Sequence, residues 1–266
     1  MVIRPLVIAV AAGLSGMSFA QTGNSILENG RMPAPAAVQA DKPDDKPEVT
    51  PELRGDILMA RKQYREAIEA FRLGSSKDPV LKNKTGIAYH QMLQLDHALK
   101  NYQEAVKLKK DYLEAINNIG TIYYARKDFR RSITYYERAL KLEPQSTRSA
   151  SIYNNLGTAY FARKQYKQAF DAFQTALSLN PDVNEHSSGY GVMLEERSVE
   201  ERAKYHYYWA RTYAKSGRNE LALQYLRKAL EEGFKEKKQL ETDPEFASLR
   251  DTKEFKELLA LEPRVL

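Results

Sequence analysis

One internal repeat limits what this chain can fold into more than any other feature. Gly86, Gly120 and Gly157 are each followed three residues later by a tyrosine, Tyr89, Tyr123 or Tyr160. Twelve residues after each glycine stands a small residue: Ala98, Ser132 or Ala169. Sixteen after it comes an aromatic, Tyr102, Tyr136 or Phe173, and nineteen after it Ala105, Ala139 or Ala176. The same offsets fit Gly55, Leu58, Ala67 and Phe71, and again Ala210, Tyr213, Ala222, Leu226 and Ala229. The leading small residues are 31, 34, 37 and 53 positions apart, so each unit has a fixed interior while the joints vary. Units of this length bury their apolar faces only by stacking on one another.

Within a unit the apolar residues fall at helical spacing, as in Ile116, Ile119, Tyr123 and then Ile133, Tyr136, Leu140. The small residues mark where two antiparallel helices approach, and the aromatics fill the space beside them. The pattern resembles the tetratricopeptide repeat family. Ile116-x-x-Ile119-Gly120-x-x-Tyr123, Ser132-x-x-x-Tyr136 and Pro144 match its signature, as do Tyr153-x-x-Leu156-Gly157-x-x-Tyr160, Ala169-x-x-x-Phe173 and Pro181. The resemblance implies an all-α solenoid of stacked hairpins over 48–236, with units at about 48–81, 79–112, 113–146, 150–183 and 203–236. The sequence departs from the family at the turn between paired helices, where Lys62, Lys127 and Lys164 replace the usual glycine and only Gly217 keeps it.

Capping signals support these boundaries. Thr50-Pro51 and Asp78-Pro79 place a capping side chain before a proline at the first helical position. Asp111-x-x-Glu114 and Ser198-x-x-Glu201 read as capping boxes. Asp243-Pro244 and Asp251-x-x-Glu254 predict two short helices within 237–266, whose Phe246, Leu249, Phe255, Leu258 and Leu259 would cover the open apolar end of the array.

Outside the array, residues 1–20 carry Arg4, an apolar run from Leu6 to Met17 and a Ser18-Phe19-Ala20 ending. This reads as a secretory signal cut after Ala20, with an uncleaved anchor as the rival. Residues 21–47, with Pro33, Pro35, Pro43 and Pro47, read as a disordered linker. Residues 184–197 form an insertion between the fourth and fifth units, as long as loops that are often functional. The expected location is exported, periplasmic or secreted, with a bacterial envelope favoured because the chain has no cysteine.

The lack of cysteine excludes disulfides, thiolate nucleophiles and cysteine-based metal sites. The four histidines form no metal motif, and no nucleophile elbow, phosphate loop or EF-hand occurs. We therefore expect no enzyme activity, cofactor or metal. The net charge of +6 is spread over every unit instead of gathered in one patch, which argues against nucleic acid as partner. Local basic sets such as Arg126-Lys127-Arg130-Arg131 form a rim at the inter-helix turns.

In the family, first helices line a concave ligand-binding face. The resemblance therefore nominates Asn117, Asn118, Thr121 and Tyr124, then Asn154, Asn155, Thr158 and Phe161 at the same offsets, and Tyr207, Tyr208 and Arg211 in the last unit. Asn83, Lys84, His90, Gln91 and Lys204 hold neighbouring positions. Exposed asparagine amides could pair with the backbone of an extended peptide, and Lys84, Lys204 and Arg211 could receive carboxylates. The expected function is a non-catalytic scaffold that binds protein or peptide in the envelope or secreted space. The alternative is an accessory docking subunit of an envelope enzyme acting on cell wall or polysaccharide, or of a secretion machine. The sequence implies no membrane span after signal cleavage, and no oligomeric state.

Overall fold

The computed structural model describes residues 49–183 and 198–260. The signal, the linker and the 184–197 insertion read from the sequence lie outside them. Among the described residues twelve α-helices and one short 3-10 turn occur, with no strand. The first ten helices pair as five hairpins: α1 (Pro51–Ala60) with α2 (Tyr64–Arg72), α3 (Pro79–Gln91) with α4 (Leu95–Leu108), α5 (Leu113–Ala125) with α6 (Phe129–Leu142), α7 (Thr147–Ala162) with α8 (Tyr166–Leu179), and α9 (Val199–Lys215) with α10 (Asn219–Glu231). The second helix of each hairpin packs on the first helix of the next. First helices α3, α5 and α7 also touch one another, more closely than the second helices do, so the first helices lie on the inner side of the stack.

The small-residue offsets have a direct steric cause. A Cβ on Gly86 would stand 2.6 Å from the Tyr102 ring, on Gly120 2.7 Å from Tyr136, and on Gly157 2.6 Å from Phe173. These are closer than real carbon contacts, so only glycine lets the aromatic of the second helix lie on the first. The fifth hairpin solves the same problem differently, with Ala210 and the smaller Leu226, both fully buried.

The turns inside the hairpins are uniform despite their sequences. In each, the residue after the C-cap has positive φ: Lys62 (60°), Leu93 (58°), Lys127 (60°), Lys164 (60°) and Gly217 (77°). Its N–H bonds three residues back, and the next N–H bonds five residues back, as in Lys127 to Tyr124 O (2.8 Å) and Asp128 to Tyr123 O (2.9 Å). This pair of bonds is the Schellman motif, which satisfies the last carbonyls of a helix and favours glycine at the left-handed position. The absence of glycine therefore leaves the turn conformation intact but strains four of the five turns. Lys127→Gly should raise stability by about 0.5–1 kcal/mol, and Gly217→Ala should lower it by a similar amount. Thermal unfolding of the two variants reads the signs, and equal signs would contradict the assignment.

Most capping signals are realised. The side chains of Thr50, Asp78 and Ser198 accept from Leu53, Val80 and Glu201 N–H at 3.2, 2.7 and 3.2 Å. Two are not. The N-cap position of α5 falls on Tyr112, which makes no side-chain cap bond, so Asp111 lies one residue too early to cap. Asp251 is likewise displaced by Thr252, whose hydroxyl accepts from Phe255 N–H at 3.3 Å. The C-terminal region also holds a helix that the sequence reading did not foresee, α11 (Lys237–Thr242), before the 3-10 turn Pro244–Phe246 and α12 (Lys253–Leu259). Leu240, Phe246, Leu249, Phe255 and Leu258 are buried in one cluster with α9 and α10. At the opposite end, Arg54 occupies the position that Ile119 and Leu156 hold in later hairpins. It is exposed, but so are Leu53 and Ile57 on the same helix, so the outward face of the first hairpin is mixed polar and apolar.

Candidate functional site

The inner face carries a row of asparagines joined across three helices. Asn155 Nδ2 on α7 donates to Asn117 Oδ1 on α5 at 3.3 Å, and Asn118 Nδ2 on α5 donates to Asn83 Oδ1 on α3 at 3.0 Å. Asn117 Nδ2 links the two bonds, reaching Asn118 Oδ1 at 3.5 Å. The expectation that Asn118 and Asn155 stand exposed is corrected here. Both are half-buried, because the first helices approach closely enough for amides to meet between them. Asn154 is buried outright, and its Oδ1 has no hydrogen-bond partner. Thr121 and Thr158 are also buried. Their hydroxyls donate to the carbonyls one turn back, at Asn117 (3.3 Å) and Asn154 (2.8 Å), and Thr121 also accepts from the Tyr136 hydroxyl at 3.3 Å. Burial pushes the Tyr136 phenol up to about 12, so it remains a donor.

The aromatics divide between surface and core. Tyr124 is half-buried, with its ring 5.0 Å from Phe129. Phe161, expected on the groove, is buried, because the fifth hairpin folds over it: Tyr205 and Tyr208 meet its ring at 5.4 and 5.8 Å. Tyr208 stacks on Tyr166 at 5.2 Å, and Lys204 lies 4.9 Å above the Tyr166 ring. Phe129 and Tyr166 were missed in the sequence reading. They had a legible signal, since each stands nine residues after a leading glycine, where Tyr64 and Leu95 also stand.

The three cations expected to receive a partner's carboxylates already hold carboxylates of this chain. Lys84 Nζ is 2.7 Å from Glu52 and 2.6 Å from Asp56 on α1. Burial opposes its charge, but the two acids outweigh that and raise its pKa. Lys204 is 3.8 Å from Glu236. Arg211 lies between Asp243 (2.7 Å) and Glu245 (2.9 Å), over the rings of Phe170, Tyr207 and Tyr208. Tyr207 is 1% exposed, stacked on Phe234 at 4.5 Å, and donates its hydroxyl to Asp243. Burial and the neighbouring Glu245 raise the Asp243 carboxyl. For Glu245 burial acts in the same direction, but bonds from Asp243 and Arg211 prevail and hold it down to about 2. Tyr207 and Arg211 thus fasten the C-terminal segment to α9. Both were expected on the open face, but the chain returns at Asp243 and Glu245, outside the repeat, and covers them.

Models of the tetratricopeptide repeat match residues 111–182 and 203–232, which are α5 to α8 and the hairpin of α9 and α10. The chain is a tetratricopeptide repeat protein. It is similar to human tetratricopeptide repeat protein 6, at 33% identity over 61 residues, which are 23% of this chain and 12% of that protein. It is also similar to tetratricopeptide repeat domain-containing protein PYG7, chloroplastic, of Arabidopsis thaliana, at 25% identity over 99 residues, 35% of this chain and 33% of that one. The array therefore spans a third or less of the curated relatives it matches. Among solved structures, MamA from Desulfovibrio magneticus RS-1 aligns with a TM-score of 0.46 and 19% identity, covering 66% of this chain and 89% of that one. The second TPR domain of human RPAP3, solved with an HSP70 peptide, aligns at 0.38 and 21%, covering 42% and 92%.

In this tetratricopeptide array the accessible members of the asparagine row are Asn117, Asn118 and Asn155, all half-buried, while Asn83 is buried beneath Asn118 and the ion pairs of Lys84 lie beside it. Each amide has two N–H groups and a carbonyl with two lone pairs, and the row uses only part of that capacity. Such a surface can hydrogen-bond a partner, while the half-buried ring of Tyr124 on first helix α5 supplies apolar contact.

Proposed function

We propose that this protein is a non-catalytic scaffold that binds an extended segment of a protein partner on the inner face of its first helices. The observation that carries the reading is the amide row of Asn83, Asn118, Asn117 and Asn155 across α3, α5 and α7. Because the amides hold one another, they are presented in fixed positions and lose little freedom when a partner binds. They match the alternating donors and acceptors of a peptide backbone and do not read its side chains. The solved RPAP3 domain is in complex with a peptide, which agrees with this use of the fold. The proposed setting is the cell envelope or the space beyond it, on the strength of the Arg4 to Ala20 segment, and N-terminal sequencing of protein from its host should begin at or near Gln21. The second reading, a docking subunit of an envelope enzyme or secretion machine, uses the same face and differs only in the partner.

The test is partner capture from the host envelope fraction, followed by binding measurements on variants. Asn118→Ala with Asn155→Ala removes all three bonds of the row. Folding should lose about 0.5–1.5 kcal/mol per bond, and affinity for the captured partner should fall roughly ten-fold or more. Charge reversal at Arg126, Lys127 and Lys164 should leave that affinity within about two-fold. If the rim variant fails to bind while the asparagine variant binds normally, the inner face is not the site.

A further inference from the structure

The turns inside the hairpins carry a charge excess that the inner face does not use. In a stack of antiparallel hairpins these five turns fall along one edge. Arg126 of the third turn accordingly pairs with Asp96 beside the second. The eight-residue stretches that begin at Arg61, Met92, Arg126, Arg163 and Ser216 hold eleven Lys and Arg against four Asp and Glu. Their excess of seven exceeds the net +6 of the whole chain, so the remainder is almost neutral. Acids near the edge offset it only in part, as Asp171 does for Lys167 at 3.0 Å, and those partners are themselves solvent-exposed.

Two further observations give the edge a direction. Lys62, Lys127 and Lys164 sit at the tips with φ of 60°, a left-handed conformation that is unfavourable for a non-glycine side chain, and each follows an arginine. Strain retained at three equivalent positions, where glycine would relieve it, points to a use for the side chain. The second turn lacks the basic pair and instead presents Leu93, also strained at 58° and 69% exposed. With about 10 Å between packed neighbours, the row of tips extends over roughly 40 Å. A basic row with a protruding leucine has the chemistry of a surface that meets anionic headgroups and places one apolar side chain among them. An acidic protein would match the charge but would leave Leu93 unexplained.

We infer that the turn edge is a peripheral docking surface for an anionic lipid bilayer, leaving the inner face free for its partner. The test uses the full chain and two kinds of vesicle: phosphatidylcholine alone, and two parts phosphatidylcholine to one part phosphatidylglycerol. The protein should sediment with the anionic vesicles at low salt, be released by high salt, and bind the neutral ones far less. The triple variant Lys62→Gly, Lys127→Gly, Lys164→Gly should partition about 100-fold more weakly, from the loss of three charges at the headgroup surface. This variant relieves strain, so misfolding cannot explain its loss, and it should bind the captured protein partner as before. Equal binding to both vesicle types, no binding to anionic vesicles, or full binding by the triple variant would each overturn the proposal. Retention of the chain on polyglutamate without retention on anionic vesicles would also overturn it, in favour of an acidic protein.

Discussion

Gly157→Leu should lower the stability of the array by about 3 kcal/mol or more. Its Cβ alone would come within 2.6 Å of two ring atoms of Phe173 and 3.1 Å of the Ala169 carbonyl oxygen. Phe173 cannot retreat. It is fully buried and tilted against Trp209 at 4.7 Å, in the cluster that joins the fourth and fifth hairpins. Forced overpacking of this kind commonly costs 1–3 kcal/mol, and the backbone carbonyl places this site at the upper end. For an array of this size the midpoint of thermal unfolding should fall by roughly 6–12 °C, read by circular dichroism. An unchanged midpoint would mean that α7 and α8 do not meet in the register described.

Asp243→Ala should cost about as much through a different mechanism. Asp243 is 5% exposed, and its carboxylate holds both Arg211 and the Tyr207 hydroxyl. Removing it leaves a guanidinium over three aromatic rings with Glu245 as its remaining acid, and a buried phenol without its acceptor. Deleting one member of such a pair costs about 3–5 kcal/mol, and Glu245 should keep the loss near 3 kcal/mol. The damage should be local at first. Amide exchange over α11, the 3-10 turn and α12 should rise by two orders of magnitude or more, while α3 to α6 stay protected. The triple variant Arg211→Met, Asp243→Leu, Glu245→Gln should recover part of the loss, because it leaves no charge of the cluster unpaired. Uniform exchange along the whole array would show that the C-terminal segment is not held by this cluster.

The periodic features of this chain were legible from its sequence, because a hairpin constrains its residues locally. Gly86 and Tyr102 announce a helix contact by their spacing alone, and the contact lies where that spacing places it. Caps were legible when the capping side chain directly precedes the helix, as at Asp78. They failed where two candidates compete, as at Asp251 and Thr252. The inner face was only half legible. The recurrence of Asn-Asn-x-x-Thr identifies a row, but periodicity carries no distance between rows. It could not reveal that Asn155 and Asn118 would spend part of their hydrogen bonding on Asn117 and Asn83. Nor could it show that the threonines turn inward to their own helices. Arg211 shows the limit most clearly. Its repeat position marks it as a surface cation, and only the return of the chain at Asp243 and Glu245, more than thirty residues later, makes it a structural clamp.

The central claim is that the partner lies on the first helices. Site-specific photo-crosslinking tests it most directly. A photoreactive phenylalanine at Tyr124, half-buried on the inner side of α5, should crosslink the captured partner in the assembled complex. The same group at Gln168, exposed on second helix α8, should give little or no adduct. Strong crosslinking from position 168 with none from 124 would put the partner on the second helices and contradict the account.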